Sequence, residues 1–217
     1  LGEHFSRTQI AMLWDDLNPA SGGMVRFANL ADRAVDLALR VHVAQEAGRG
    51  KLPENNADCG GVFALAMGKG GARELNYSSD IDLIVLFDET AYAEADQADA
   101  RAALIRVTRK MAATLSDVTE HGYVFRTDLR LRPDASVTPV CISTAAALAY
   151  YEAEGRTWER AAFIKARAAA GDVAAGLRFL RDLRPFVWRK HLDFAAIQDA
   201  HDMRLRIRDH KNLGGRL

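Results

Sequence analysis

Leu30, Ala34, Leu37 and Val41 recur at the three-to-four spacing of a single helix face, which predicts an amphipathic helix over about residues 24–46. Residues 48–61 are polar and rich in Gly, Pro and Asn, and read as a loop. Val62 to Met67 is a continuous apolar run that stops at Gly68. A short, Gly-bounded run of this kind predicts a strand buried on both faces. Ile81 to Phe87 repeats the pattern, rich in β-branched residues and broken only by Asp82. Leu104, Val107, Met111, Leu115 and Val118 mark one face of a second long helix, about residues 96–119.

From Tyr123 to Arg132 the period drops to two. Tyr123, Phe125, Thr127, Leu129 and Leu131 share one side; Val124, Arg126, Asp128, Arg130 and Arg132 share the other. This predicts a strand with an apolar back and a charged front, ended by Pro133. Pro139 to Ile142 reads as another short strand, and Ser143 and Thr144 are suited to cap the helix that follows. Helical patterns then run over about 145–170, 173–192 and 195–211, divided at Gly171-Asp172 and Asp193, with Pro185 kinking or ending the middle one. The order predicts an α+β core, a small mixed sheet with helices, over residues 1–145, followed by a helical bundle domain over 146–217.

Composition narrows the class. The chain has 217 residues, 49% hydrophobic and 27% charged, as in ordinary globular proteins. Its 29 basic and 29 acidic residues cancel but are unevenly spread. Residues 155–217 hold 14 basic and 7 acidic, leaving 15 and 22 for residues 1–154. The acidic part suits cations and the basic part an anionic ligand, or both are solvated helix faces. Cys59 and Cys141 form no CxxC and have no nearby histidine, so neither zinc nor a disulfide framework is expected. No apolar stretch approaches the ~20 residues that span a bilayer, and no signal-peptide pattern opens the chain. A cytoplasmic location is expected, with no membrane partner. The chain begins at Leu1 rather than Met and closes on Gly214-Gly215-Arg216-Leu217, and so reads as part of something longer.

Three features carry chemistry. In Ser78-Ser79-Asp80-Ile81-Asp82-Leu83-Ile84, two carboxylates two apart in a strand point to the same face. Inside an apolar run they repel each other and are costly. A hard divalent cation, Mg²⁺ or Mn²⁺, resolves this; alternatively Asp80 caps the strand and Asp82 pairs with an arginine. The second feature is Asp128 on the charged face of the later strand. Beside the first strand it completes a set of three carboxylates able to hold two metal ions for displacement at phosphorus, with Arg126 and Arg130 neutralising phosphate oxygens. Read blandly, it is a solvated strand face. The third is the Gly-rich turn Gly68-Lys69-Gly70-Gly71-Ala72-Arg73, whose glycine amides can cradle phosphate and whose Lys69 and Arg73 add positive charge. It is not a Walker A loop, lacking Gly-Lys-Ser/Thr at the required spacing. Arg156, Arg160 and Arg167 fall on one helical stripe, which either closes over phosphate or is solvated. Trp158 reads as a core anchor rather than a base-stacking residue, and His121 and His191 as structural.

Together these features resemble the DNA polymerase beta-like nucleotidyltransferase superfamily. More narrowly, Gly68-Lys69-x-Gly71-Ala72-Arg73-Glu74-Leu75-Asn76-Tyr77-Ser78-Ser79-Asp80-Ile81-Asp82-Leu83-Ile84 resembles the signature of the bifunctional glutamine synthetase adenylyltransferase/adenylyl-removing enzymes. So do Phe125-Arg126-Thr127-Asp128-Leu129-Arg130-Leu131-Arg132-Pro133, the block Tyr150-Tyr151-Glu152 through Gly155-Arg156-x-Trp158-Glu159-Arg160-Ala161-x-x-Ile164-Lys165-Ala166-Arg167, and Pro185-Phe186-Val187-Trp188-Arg189. The likeness runs from about Leu30 onward. The wording around Trp158-Glu159, and Glu74-Leu75-Asn76 before Ser78-Ser79-Asp80, is similar to the N-terminal, adenylyl-removing half. One departure is Gly70, where the family usually has Leu or Met.

The resemblance implies phosphorolysis of adenylyl-tyrosine on glutamine synthetase to tyrosine and ADP. It implies Mg²⁺ or Mn²⁺ on Asp80, Asp82 and Asp128, and phosphate or adenine nucleotide against Gly68, Lys69, Ser79 and Arg130. Partners so implied are glutamine synthetase and, through the full-length enzyme, the PII signalling protein. The adenylylating half, another transferase of the superfamily such as a uridylyltransferase, and a non-catalytic module of the same fold remain the alternatives. Nucleic-acid binding is not expected, because the basic excess is modest and lies in helical segments.

Overall fold

The computed structural model describes residues 22–53 and 59–188. Helix α1 spans Gly23–Ala47, strand β1 Val62–Ala66, the short helical turn α2 Gly68–Gly71, and strand β2 Ile81–Phe87. Helix α3, Gln97–Ser116, leads to β3 (Thr127–Asp128) and β4 (Cys141–Ser143). Helices α4 (Thr144–Ala153) and α5 (Thr157–Phe163) precede β5 (Arg167–Gly171), and α6 (Val173–Asp182) and α7 (Arg184–Val187) follow it. Pro185 sits in the first turn of α7, where a missing N–H costs nothing.

β1 and β2 form the antiparallel centre of the sheet, with Val62 opposite Phe87 and Ala66 opposite Leu83. β5 adds antiparallel to the far edge of β1. The outer edge of β2 is shared: β3 pairs parallel with its start and β4 parallel with its end. The apolar runs are buried on both faces, as their unbroken pattern predicts. Ile81, Leu83, Val85 and Phe87 turn toward α1 and α3; Ile84 and Leu86 turn toward a second cluster with Tyr151, Phe163 and Phe179. Among the described residues no helix is long and apolar enough to cross a membrane. Both cysteines are buried free thiols, and burial pushes each up to about 12, so neither is a nucleophile at neutral pH.

The helical expectation over 145–170 needs correction. α4 and α5 are helices, and Ser143 does cap α4, its Oγ accepting from the Ala146 amide at 3.3 Å. Residues 167–171 are instead a strand. Arg-Ala-Ala-Ala-Gly favours a helix locally, but the open edge of β1 offers a row of unpaired backbone groups. Small side chains there let α1 lie close over the edge, where Asp36 accepts the Gly171 amide at 2.9 Å. The chain from residue 146 to 188 therefore packs onto the sheet rather than forming a separate bundle, and its side chains share the second cluster with β1 and β2. Arg156, Arg160 and Arg167 do not lie on one helix for the same reason. The expected helix over 195–211, the end of that over 173–192, and His191 lie outside the described residues.

The strand expected over residues 123–132 is also shorter, only β3. Asp128 ends it: its Oδ1 accepts the Arg130 amide at 2.8 Å, a side-chain turn that competes with the ladder. Arg132 then gathers the loop, donating to the carbonyls of Leu129, Ala135 and Thr138.

Glu46, near the end of α1, is buried, and Arg49, Arg106 and Lys110 stand 2.9, 2.7 and 3.2 Å from its carboxylate. Burial pushes its pKa up, but hydrogen bonds from Arg106 and Lys110 outweigh that and hold it below the usual carboxylate range. A depressed carboxylate contributes stability above its unfolded pKa and loses it as pH falls through the folded value. Glu46→Gln is expected to cost about 2 kcal/mol in urea unfolding at pH 7. The gap to the unsubstituted chain should close on acidification.

Candidate functional site

The parallel register of β2 and β3 sets Asp82 directly opposite Asp128. Asp80 lies just before β2 and is half-exposed. Its Oδ1 accepts from Arg126 Nε at 2.5 Å, and the Arg126 Nη2 donates to the Ser78 carbonyl at 2.8 Å. Asp128 is held by Arg130, whose Nε and Nη2 reach its Oδ2 at 2.9 and 2.5 Å. Those hydrogen bonds keep the Asp128 carboxyl below its ordinary range.

Asp82 differs from both. It is half-buried, and no hydrogen bond or ion pair reaches its carboxylate among the described residues. Burial pushes its pKa up, and the charges of Asp128 and Asp80 push it further; Arg130 and Lys69 oppose the rise. The turn α2 approaches it closely. Gly68 has φ +52°, and a Cβ there would stand 3.0 Å from Asp82 Oδ2, so a residue without a side chain is needed. Lys69 is exposed and donates to Ser79 Oγ at 3.4 Å; Ser79 Oγ donates to Asn76 Oδ1 at 2.5 Å.

The three expected carboxylates thus meet at one edge of the sheet, with Gly68, Lys69, Ser79 and Arg130 around them. They do not form a closed ligand set. Among the described residues no three carboxylate, imidazole or thiol side chains stand together as a metal-holding group. Asp80 and Asp128 instead face their own arginines. The donor chemistry nevertheless suits a hard cation: all three groups are carboxylates, and Asp82 has no hydrogen-bond or ion-pair partner among the described residues.

Arg167, expected on a helical stripe with Arg156 and Arg160, stands instead behind the Gly68–Gly71 turn. Arg167 in β5 donates to Asp32 of α1 at 2.7 and 3.0 Å and to the Gly70 carbonyl at 3.0 Å. Glu89 accepts the Thr144 and Ala145 amides, both at 3.1 Å, at the start of α4. These links join segments far apart in the chain. Trp158 is half-buried and His121 exposed. The neighbouring Glu159 is buried and accepts the Arg156 amide at 2.8 Å; burial pushes its pKa up. A cavity of about 320 Å³ lies beside the Tyr77–Ser79 turn, lined among others by Phe27, Tyr77, Tyr123 and Arg126. Ser79, like Arg126, lines it, and Phe27 ties it to the cluster under α1 and α3.

Compared with known proteins, residues 9–182 match the family model described as glutamate-ammonia ligase adenylyltransferase. Three curated relatives carry the name bifunctional glutamine synthetase adenylyltransferase/adenylyl-removing enzyme. That of Rhodopseudomonas palustris is 53% identical over 187 residues, 84% of this chain and 19% of the relative. That of a Bradyrhizobium species is 58% identical over 181 residues, 81% and 18%. That of Mesorhizobium japonicum is 53% identical over 195 residues, 87% and 20%. The chain spans about a fifth of the length of these relatives.

Proposed function

The chain belongs to the glutamate-ammonia ligase adenylyltransferase family, and from that premise we propose that it is the adenylyl-removing unit of such an enzyme. The observation that carries the reading is the pairing of Asp82 with Asp128 in register, beside Asp80 and against a turn that presents Lys69. The choice of half rests on sequence wording: Gly155-Arg156-x-Trp158-Glu159-Arg160, Ile164-Lys165-Ala166-Arg167, and Glu74-Leu75-Asn76 before the paired serines.

The reaction is phosphorolysis. An oxygen of hydrogen phosphate bonds to the phosphorus of adenylyl-tyrosine, the bond from that phosphorus to the tyrosine oxygen breaks, and the proton of hydrogen phosphate ends on the tyrosine oxygen, so that the products are ADP and a tyrosine hydroxyl. Phosphate is already an anion, so the attack needs no strong base, and positioning with charge neutralisation supplies the rate. Asp80, Asp82 and Asp128 would hold Mg²⁺ or Mn²⁺, which supplies positive charge to phosphoryl oxygens. Lys69, 3.4 Å from Ser79 Oγ, meets phosphate from the turn side. Arg126 and Arg130, which are ion-paired with Asp80 and Asp128, stand where their guanidinium groups would neutralise phosphate oxygens. In this reading glutamine synthetase is the protein partner, and the PII protein acts through the longer enzyme.

The test is ADP formation from adenylylated glutamine synthetase with phosphate and Mn²⁺. Phosphate-dependent ADP release is the expected result. Release of pyrophosphate from ATP with unmodified glutamine synthetase would assign the adenylylating half instead. Neither reaction, with no nucleotide bound, would leave a non-catalytic module.

A further inference from the structure

The turn carrying Gly68 and Lys69 is pressed from behind. Arg167, from the first position of β5, reaches across it. Its Nη1 and Nη2 donate to the two Asp32 oxygens at 2.7 and 3.0 Å, and Nη2 also donates to the Gly70 carbonyl at 3.0 Å. Both partners of the ion pair are largely shielded, their side chains 21% and 17% exposed. Beside it, the backbone of Lys165 lies so close that a Cβ on Gly71 would stand 2.1 Å from its carbonyl oxygen. α1 also holds the exit of the turn, where Arg73 donates to Asn29 Oδ1. The front of the same turn meets Asp82 at Gly68. A four-residue turn is therefore clamped between an ion pair and the half-buried carboxylate of Asp82.

We propose that Arg167, oriented by Asp32, is a positioning residue that sets the distance between the Gly68–Gly71 turn and Asp82. It touches neither substrate nor cation. An arginine suits the task because its planar fork satisfies a carboxylate on one side while a further N–H reaches the carbonyl. A lysine supplies one point charge and cannot hold both partners in fixed geometry. The inference rests on reading Asp82 as part of the phosphate-handling site. Its novelty is that a strand on the opposite edge of β1 from Asp82 governs the geometry of that site.

The experiment compares Arg167→Gln, Arg167→Lys and Asp32→Asn with the unsubstituted chain in two readouts. The first is amide hydrogen exchange across residues 68–75, set against β1 and β2. The Gly71 and Ala72 amides, bonded to the Met67 and Gly68 carbonyls at 2.9 and 3.2 Å, report on the turn. The second is Mn²⁺ affinity by electron paramagnetic resonance. Arg167→Gln is expected to speed exchange in the turn about tenfold while β1 and β2 keep their protection. Its Mn²⁺ dissociation constant should rise about tenfold, with Arg167→Lys between the two. Asp32→Asn keeps an acceptor and the shape, so it serves should Arg167→Gln not fold; the same changes at smaller size are expected. Equal loosening of turn and strands would assign Arg167 a general structural role and overturn the proposal. So would folded variants whose turn exchange and Mn²⁺ affinity match the unsubstituted chain. An unsubstituted chain without transferase activity or Mn²⁺ binding sinks the functional reading instead, and the exchange comparison then decides the positioning role alone.

Discussion

Asp82→Asn is expected to lower phosphate-dependent ADP release by about a thousandfold or more, and at the same time to raise the melting temperature of the chain in EDTA. The loss of rate follows from the proposed site. Removing one ligand of a cation that neutralises phosphoryl charge is worth several kcal/mol, and roughly 4 kcal/mol is a factor of a thousand. The gain in stability follows from the fold. An ionised Asp82 is half-buried, beside Asp128 and Asp80, and no hydrogen bond or ion pair among the described residues compensates it. Asparagine keeps the shape and removes the charge.

The pH dependence has a definite sign. A carboxyl whose folded pKa is raised favours the folded state fully only below its unfolded value, and that contribution is lost as pH rises through the folded value. The advantage of Asp82→Asn should therefore be greatest at neutral pH and vanish on acidification. Solvent screening at a half-buried position keeps it modest, about 2–4 °C. Mn²⁺ should reverse the order at neutral pH. At a hundredfold excess over its dissociation constant a cation bound only to the folded state adds about 2.7 kcal/mol, and the variant lacks that gain. Thermal scans with EDTA and with Mn²⁺, at neutral and acid pH, read all of this. A variant that melts below the unsubstituted chain in EDTA would show that the ionised carboxylate is compensated. One that retains full rate would remove Asp82 from the site.

Gly71→Ala is the second large effect, expected to cost about 3 kcal/mol or more and to loosen the seam between the turn and β5. Its Cβ would stand 2.1 Å from the Lys165 carbonyl oxygen and 2.7 Å from that of Ala66, and both are backbone atoms that cannot swing away. The adjacent glycine behaves oppositely. A Cβ on Gly70 meets only the Ala66 Cβ at 3.8 Å, an ordinary contact. Gly70→Ala should therefore gain about 0.4–1 kcal/mol by restricting the unfolded chain. This fits the resemblance, in which the family usually carries a larger residue at this position. Urea titrations of the two variants give the comparison, and equal stability for both would mean that the Lys165 backbone does not lie against the turn in solution.

Much was legible in the residues themselves. Period and apolar run length were enough to place α1, β1, β2 and α3, but the face read for α1 was not the one that meets the core: Leu37 and Val41 are exposed, and Phe27, Ala31, Val35 and Leu39 are buried instead. The spacing of Asp80 and Asp82 was enough to bring two carboxylates to one end of a strand, and alternation set Asp128 on a charged face; that this face pairs beside β2 is shown by the register. What the sequence could not decide was what distant partners settle, and where a side chain competes with its own strand for backbone hydrogen bonds. Five residues rich in alanine became β5 because an open sheet edge outweighed a local helical preference. The charged strand stopped at Asp128 because that side chain turned back on its own backbone. The pairing of Asp80 with Arg126, 46 positions away, and of Arg167 with Asp32, 135 positions away, depended on chain segments brought together only by folding. Local pattern determined which residue types gather at the head of β2; tertiary packing decided which of their carboxylates is left without a hydrogen-bond or ion-pair partner among the described residues.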